Sequence, residues 1–411
     1  MLRIVISGLC AIFMCASANA SKMEVLHWWT SGGEAKSLAV LKKMLEEKGH
    51  NWQDFAVAGG GGENAMTVLK SRVLAGNPPF AAQLKGTTLM EWSSMGVLSD
   101  LSPLAKENKW KGSLSPTVAG AVTSKNKVVA IPVNIHRANW MWVNPKAFKK
   151  AGAKIPTTWE EFANAAAKLQ KAGIVPVAHG GQNWQDATLF EALVLSMAGG
   201  DFYRKAFIEL DPKTLGGATM KKVLERFAQI KTWIDPNAAG RDWNIATSMV
   251  IKGEAAMQIM GDWAKGEFLA AGKKPGDDFL CLPLPGSSKH FAYVIDSFAV
   301  FAGSDDKAVK DLATSILDPK FQTVFNQNKG SIPARTDVSL DGFDACAKDS
   351  RKAFASSELS GGLVPSMAHG MATGSAAQGV LVDTITSFFH AKKKNVDKTL
   401  KELSRVAISA H

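Results

Sequence analysis

The chain has little tyrosine, 2 residues in 411, and little cysteine, 4 in all. Its 8 histidines are scattered, so no metal cluster is expected. Cys10 and Cys15 fall in the first twenty residues, leaving Cys281 and Cys346 without histidine neighbours. That pair makes a poor zinc site but a candidate disulfide in an exported protein. No G-x-S-x-G elbow, H-E-x-x-H pair or phosphate-binding lysine loop occurs. The glycine run at 59–62 leads into Glu63-Asn64, so a phosphate there would meet a carboxylate. It reads as a flexible turn before a helix. No run beyond the N-terminus reaches the roughly 18 apolar residues of a membrane span. Repeats and low-complexity tracts are also missing, which argues against an adhesive or structural array.

Excess charge of one sign is present, +11, but it is diffuse. Lysines such as Lys42, Lys43, Lys168 and Lys171 are spread over helix faces, and the one dense run is Lys392–Lys394. No nucleic-acid-binding motif accompanies them, so solvated surface is the better reading and no nucleic acid is expected.

Residues 1–20, MLRIVISGLCAIFMCASANA, pair Arg3 with a short apolar stretch and end in Ala18-Asn19-Ala20. This is the pattern of a secretory signal peptide cleaved after Ala20. Leu9 and Met14 precede the two leader cysteines and are wrong for a lipoprotein site, so a free product is expected.

Downstream, strand and helix patterns alternate. MEVLHWW suits a strand, and Leu38, Leu41, Met44 and Leu45 recur at helical spacing. WQDFAVA and AAQLKG suit further strands of an open parallel α/β sheet. Thr158 with Glu161 forms a capping box. The apolar segments near Ile131 and Asp296 read as crossings between two α/β lobes, with a ligand held between them at strand ends.

Against 2 tyrosines stand 12 tryptophans. Indole faces pack on the C–H faces of a pyranose, while its hydroxyls need charged or amide partners. HWWTSGGE, AQLKG, MGDWAKG, and NKGSIPAR with SMAHG carry that mixture. Trp159 and Trp233, at helical spacing, read as core instead.

In order along the chain, EVLHWWTSGGE, LKGTTLMEWSSMGVLSDLSPL, IPVNIHRANWMWVN, PTTWEEF, IKGEAAMQIMGDWAKGEF and NKGSIPAR resemble the extracellular solute-binding proteins of sugar ABC transporters. The double tryptophan and HRANWMW are most similar to the glucose/mannose-binding members. The resemblance implies a two-lobed periplasmic-binding-protein fold: two open sheets with flanking helices, joined by a multi-segment hinge. It places residues 21–131 and about 299–336 in an N-terminal lobe, and 132–295 and about 337–411 in a C-terminal lobe. It implies a monomeric periplasmic protein without cofactor or metal. A monosaccharide (glucose foremost, or mannose or galactose) would sit in the cleft and pass to an inner-membrane permease. Trp28 and Trp29 should line the cleft, with Glu34 accepting from hydroxyls. Lys85, Lys329 and His369 should donate, Asp296 should accept and Trp263 should stack. Trp184, Asn134 and His136 are weaker candidates. Lys329 and His369 also suit ordinary loop positions, and Asp296 a cap or hinge ion pair. Two alternatives remain: an oligosaccharide ligand in the same fold, or a secreted carbohydrate-active enzyme using Glu34 and Asp296.

Overall fold

The computed structural model describes residues 22–409. The expected signal peptide lies outside them. Among the described residues no helix is long and apolar enough to cross a membrane.

The first lobe opens with β1 (Lys22–His27), flanked in parallel by β2 (Asn51–Ala56) and β3 (Ala81–Leu84). Met23, Val25 and Leu26 are fully buried, as parallel strands covered on both faces require. Helix Gly32–Glu47 connects β1 to β2 and buries Leu38, Leu41 and Leu45, the stripe read from the sequence. A small hairpin, β4 (Thr123–Ser124) and β5 (Lys127–Val128), precedes β6 (Ile131–Arg137). The second lobe then holds β7 (Trp140–Val143), β8 (Val175–Ala178), β9 (Ala255–Ile259) and β10 (Leu280–Pro283), in the order β10-β7-β9-β8. The chain returns through β11 (Phe291–Val300), β12 (Ile332–Pro333) and β13 (Leu363–Pro365). These complete a first sheet ordered β12-β6-β11-β3-β1-β2, with β13 alongside β11. Because β11 runs antiparallel to both β3 and β6, the sheet is mixed rather than all parallel.

The crossings fall later or earlier than expected. All of β6 pairs in the first sheet, so the chain leaves that lobe at Ala138–Asn139 and not at 131. All of β11 is also in the first sheet, which moves the second crossing back to residues 284–290. Segment 337–365 stays with the first lobe instead of joining the second: Phe343, Ala347 and Phe354 enter its core, and Phe354 meets Phe291 edge-on at 5.4 Å. The third crossing is therefore the stretch after Pro365. The polar residues of β6, Asn134 and His136, interrupt its apolar pattern and hide how far the strand runs.

Away from the hinge, the lobes also touch through backbone. A Cβ on Gly33 would lie 3.0 Å from Gly266, and one on Gly266 would lie 2.8 Å from the Asn328 carbonyl oxygen. Glu267 accepts from the Gly33 N–H at 2.9 Å, and Lys265 pairs with Asp344 at 3.0 Å. Cys281 of β10 and Cys346 of helix Ala345–Ser360 are disulfide-bonded, so a covalent link joins the lobes beside the second crossing.

Candidate functional site

A cavity of about 280 Å³ lies between the lobes, and all eight candidate residues line it. β1 ends in the double tryptophan. Trp29 is 2% exposed and packs on Phe298 and Phe325 at 5.5 and 5.4 Å, so much of its ring belongs to the first-lobe core. Trp28 is half-buried and faces the glycine loop. Strand alternation thus sends the two indoles apart, yet both reach the cavity. The glycine run is a packed wall rather than a flexible turn. Gly61 and Gly62 have φ of 60° and 113°, and Cβ atoms there would lie 3.0 Å from Trp184 and 3.1 Å from Trp28.

Glu34 sits in the first turn of its helix. Its Oε2 accepts from the Thr30 and Ser31 N–H groups at 3.1 and 3.2 Å, and its Oε1 from Lys329 Nζ at 2.8 Å. Lys329 ends helix Pro319–Lys329 and lies 5.5 Å over Trp29. Lys85 follows β3, with its ammonium 4.7 Å over the Trp28 ring and no hydrogen-bond acceptor among the described residues. Burial pushes that ammonium below its usual range and Lys329 adds to the shift, while Asp296 and Glu34 oppose it. An ammonium held this way is a donor awaiting an acceptor.

Asp296 lies in mid-β11, where the register against β6 slips. Gln83 donates to its Oδ1 at 3.2 Å, and the same glutamine accepts from the Trp28 N–H at 3.3 Å. Its Oδ2 is 3.1 Å from His136 Nε2. Burial alone would raise the Asp296 carboxyl. The hydrogen bond and charge of His136, with Lys85 and Lys329, instead hold it well below the usual carboxylate range.

The second lobe contributes Trp263 at the start of helix Trp263–Ala270 and His369 on the third crossing, with ring centroids 4.9 Å apart. The Thr188 hydroxyl donates to the Trp184 carbonyl at 2.8 Å, so His369 Nε2, 3.1 Å away, donates to Thr188. With Nε2 engaged by Thr188, Nδ1 is the ring nitrogen left for a ligand. Burial, then the Lys85 ammonium, drives His369 well below the usual histidine range against the pull of Asp296, so the ring is neutral.

Of the weaker candidates, Trp184 and His136 line the cavity, while Asn134 stands behind His136, 2.9 Å from its ring. Sequence reading missed Gln182, Asp242, Trp243 and Asn244. One signal was there: Asp242-Trp243 repeats the Asp-Trp pair of 262–263, again at a helix start. The ionisable groups that line the cavity balance, with Lys85, Lys329 and His136 against Glu34, Asp242 and Asp296. Such a cavity suits an uncharged, hydroxyl-rich ligand better than an ion.

Two α/β lobes hinged at three crossings around a polar-aromatic cleft define a two-lobed ligand-binding protein. The chain belongs to the bacterial extracellular solute-binding proteins, whose family model matches residues 30–323. It is 48% identical over 408 residues to a probable sugar-binding periplasmic protein of Brucella melitensis, covering 98% of this chain and 96% of that one. It is 47% identical to a probable sugar-binding periplasmic protein of Rhizobium meliloti, covering 97% and 96%. In fold it is similar to a chitin oligosaccharide binding protein, with a TM-score of 0.81, 19% identity, and coverage of 95% and 99%.

Proposed function

We propose that this protein is the periplasmic sugar receptor of an ABC importer, and that it binds a monosaccharide, D-glucose foremost. The eight residues above form the binding site. The observation that carries this reading is the site itself: a small, charge-balanced cavity between indole faces, with one ammonium unpaired. Its 280 Å³ falls just below the ~300–1,000 Å³ typical of small-molecule sites. The names of the relatives support a sugar and a periplasmic location, and the leader pattern of residues 1–20 supports export with cleavage behind Ala20. The ligand touches both lobes only when they are closed, so it shifts the open–closed equilibrium toward the form a permease receives.

Hydrolysis by Glu34 and Asp296 is disfavoured. A glycosidase needs one carboxyl kept protonated as an acid. Asp296 is held ionised, and Glu34 already serves three donors.

A longer saccharide is the second reading. A more apolar cleft of about 460 Å³ adjoins the site and shares Trp28, Lys85, Trp184 and His369 with it. Calorimetry with glucose, mannose, galactose and maltose separates the two. Tight glucose binding with weak maltose binding is expected, and maltose binding without glucose binding overturns the monosaccharide assignment.

A further inference from the structure

His136 lines the cleft, and its ring meets two carboxylates and an indole besides the Asn134 amide. Nε2 faces Asp296 Oδ2 at 3.1 Å, and Nδ1 is hydrogen-bonded to Asp262 Oδ1. The ring edge packs on Trp263 with centroids 5.2 Å apart at 82°. Asp296 belongs to the first lobe, whereas Asp262 and Trp263 open a helix of the second. Asp262 is tied to the first crossing as well. Its N–H donates to the Arg137 carbonyl at 3.0 Å, and its Oδ2 accepts from the Arg137 N–H at 3.0 Å. A core histidine needs one partner per nitrogen, and nothing requires those partners to be two carboxylates from different lobes.

We propose that His136 is a positioning residue that sets the acceptor Asp296 and the stacking plane of Trp263 in register across the hinge. This rests on the sugar-site reading above. The ring's protonation decides which neighbour Nε2 serves, because Asn134 Nδ2 stands 2.9 Å from the same atom. An imidazolium donates to Asp296 and leaves the Asn134 amide to donate to Ser331 Oγ, 3.1 Å from the same Nδ2, whereas a neutral ring accepts from Asn134. Burial opposes the charge and so does Lys329, but Asp262 and Asp296 outweigh them and raise the ring above the usual histidine range. As an imidazolium it bridges both carboxylates and fixes the Asp296 rotamer before ligand arrives.

The test is a set of glucose titrations with Asp296→Asn, Trp263→Phe and the double variant, made in the parent and again in His136→Gln. In the parent background the double variant should depart from the product of the single effects by more than about fivefold, and in His136→Gln the effects should multiply. His136→Gln itself should bind about 30-fold more weakly with an unchanged circular dichroism spectrum. Ring nitrogen NMR on the intact protein, which needs no variant to fold, should show both His136 nitrogens protonated near neutral pH. A neutral ring, multiplicative effects in the parent, or His136→Gln binding within about twofold of the parent overturns the proposal. Failure of the parent to bind any sugar defeats the site reading instead, and the NMR signature still reports whether His136 bridges the carboxylates.

Discussion

The two walls of the cleft differ in chemistry. The first lobe presents Glu34, Lys85, Asp296 and Lys329 around the ends of its strands and helices, over the base formed by Trp28 and Trp29. The second lobe presents Trp184, Trp243, Trp263, a neutral His369 and the amides of Gln182 and Asn244, and its lining carboxylate, Asp242, is exposed at the rim. Most charges of the first wall are already paired, Lys329 with Glu34 and Asp296 with Gln83. Paired charges keep their positions in an open, wet cleft, whereas indole faces need no partner and gain by losing water. On the proposed sugar site, the first lobe would read hydroxyl geometry through charged groups, and the second would supply the indole faces together with Gln182, Asn244 and His369.

The sharpest way to break this comparison is Asp296→Asn. The substitution removes a charged acceptor and leaves His136 and Lys85 facing a neutral amide. Glucose affinity should fall at least about 100-fold, near 3 kcal/mol, and the ranking of glucose against its epimers should change. Trp263→Ala attacks the other wall. It should cost roughly 10–30-fold in affinity but leave the epimer ranking as in the parent, because a lost plane weakens all pyranoses alike. Calorimetry with glucose and galactose on both variants measures the two effects. A changed ranking in Trp263→Ala and an unchanged one in Asp296→Asn would reverse the division of labour.

Much of the first wall was legible in the sequence. HWW and Lys85 lie where apolar periodicity stops and charge or glycine begins, as at strand ends, whereas Glu34 opens one helix and Lys329 closes another. The second wall was harder to see. Trp184, Gln182 and Trp243 sit at helix starts, where an aromatic residue usually means core, and only the repeated Asp-Trp pair set Trp243 apart. The apolar segments near Ile131 and Asp296 read as crossings, whereas β6 and β11 both pair within the first sheet, a long-range pairing that no local pattern announces. The partner of His369 Nε2 is Thr188, a residue 181 positions away that no local pattern connects to it.

The second lobe does own a buried carboxylate, one layer behind its wall. Glu191 accepts from Ser366 Oγ at 2.6 Å, Tyr203 Oη at 2.8 Å and the Met367 N–H at 2.8 Å, so it holds the crossing that carries His369. Burial pushes its carboxyl up to about 7 against the hydrogen bonds of those donors. The folded state then binds a proton more tightly than the unfolded chain. The associated stability is full below the unfolded value of 4.5 and is lost as pH rises through about 7. At roughly 1.4 kcal/mol per unit the loss is of order 3 kcal/mol, a shift of several degrees in melting temperature. Glu191→Gln should flatten that slope in thermal melts from pH 4 to 8. A Glu191→Gln protein whose melting temperature follows the parent's pH profile across this window would place no titrating carboxyl behind the wall.

The smallest expected effect separates the two indoles that end β1. Trp28 is half-buried under Lys85, and Trp29 is wedged between Phe298 and Phe325. Trp28→Phe keeps an aromatic face for both the ammonium and the ligand, so glucose affinity should change only about two- to threefold and the melting temperature hardly at all. Trp29→Phe removes volume from a packed core, and its main cost should be about 1–2 kcal/mol of stability, with a binding change no larger than that of Trp28→Phe. Paired thermal melts and titrations read both quantities on each variant. If Trp29→Phe lowered affinity tenfold with its melting temperature intact, Trp29 would be the stacking face of the first wall and Trp28 only its cover.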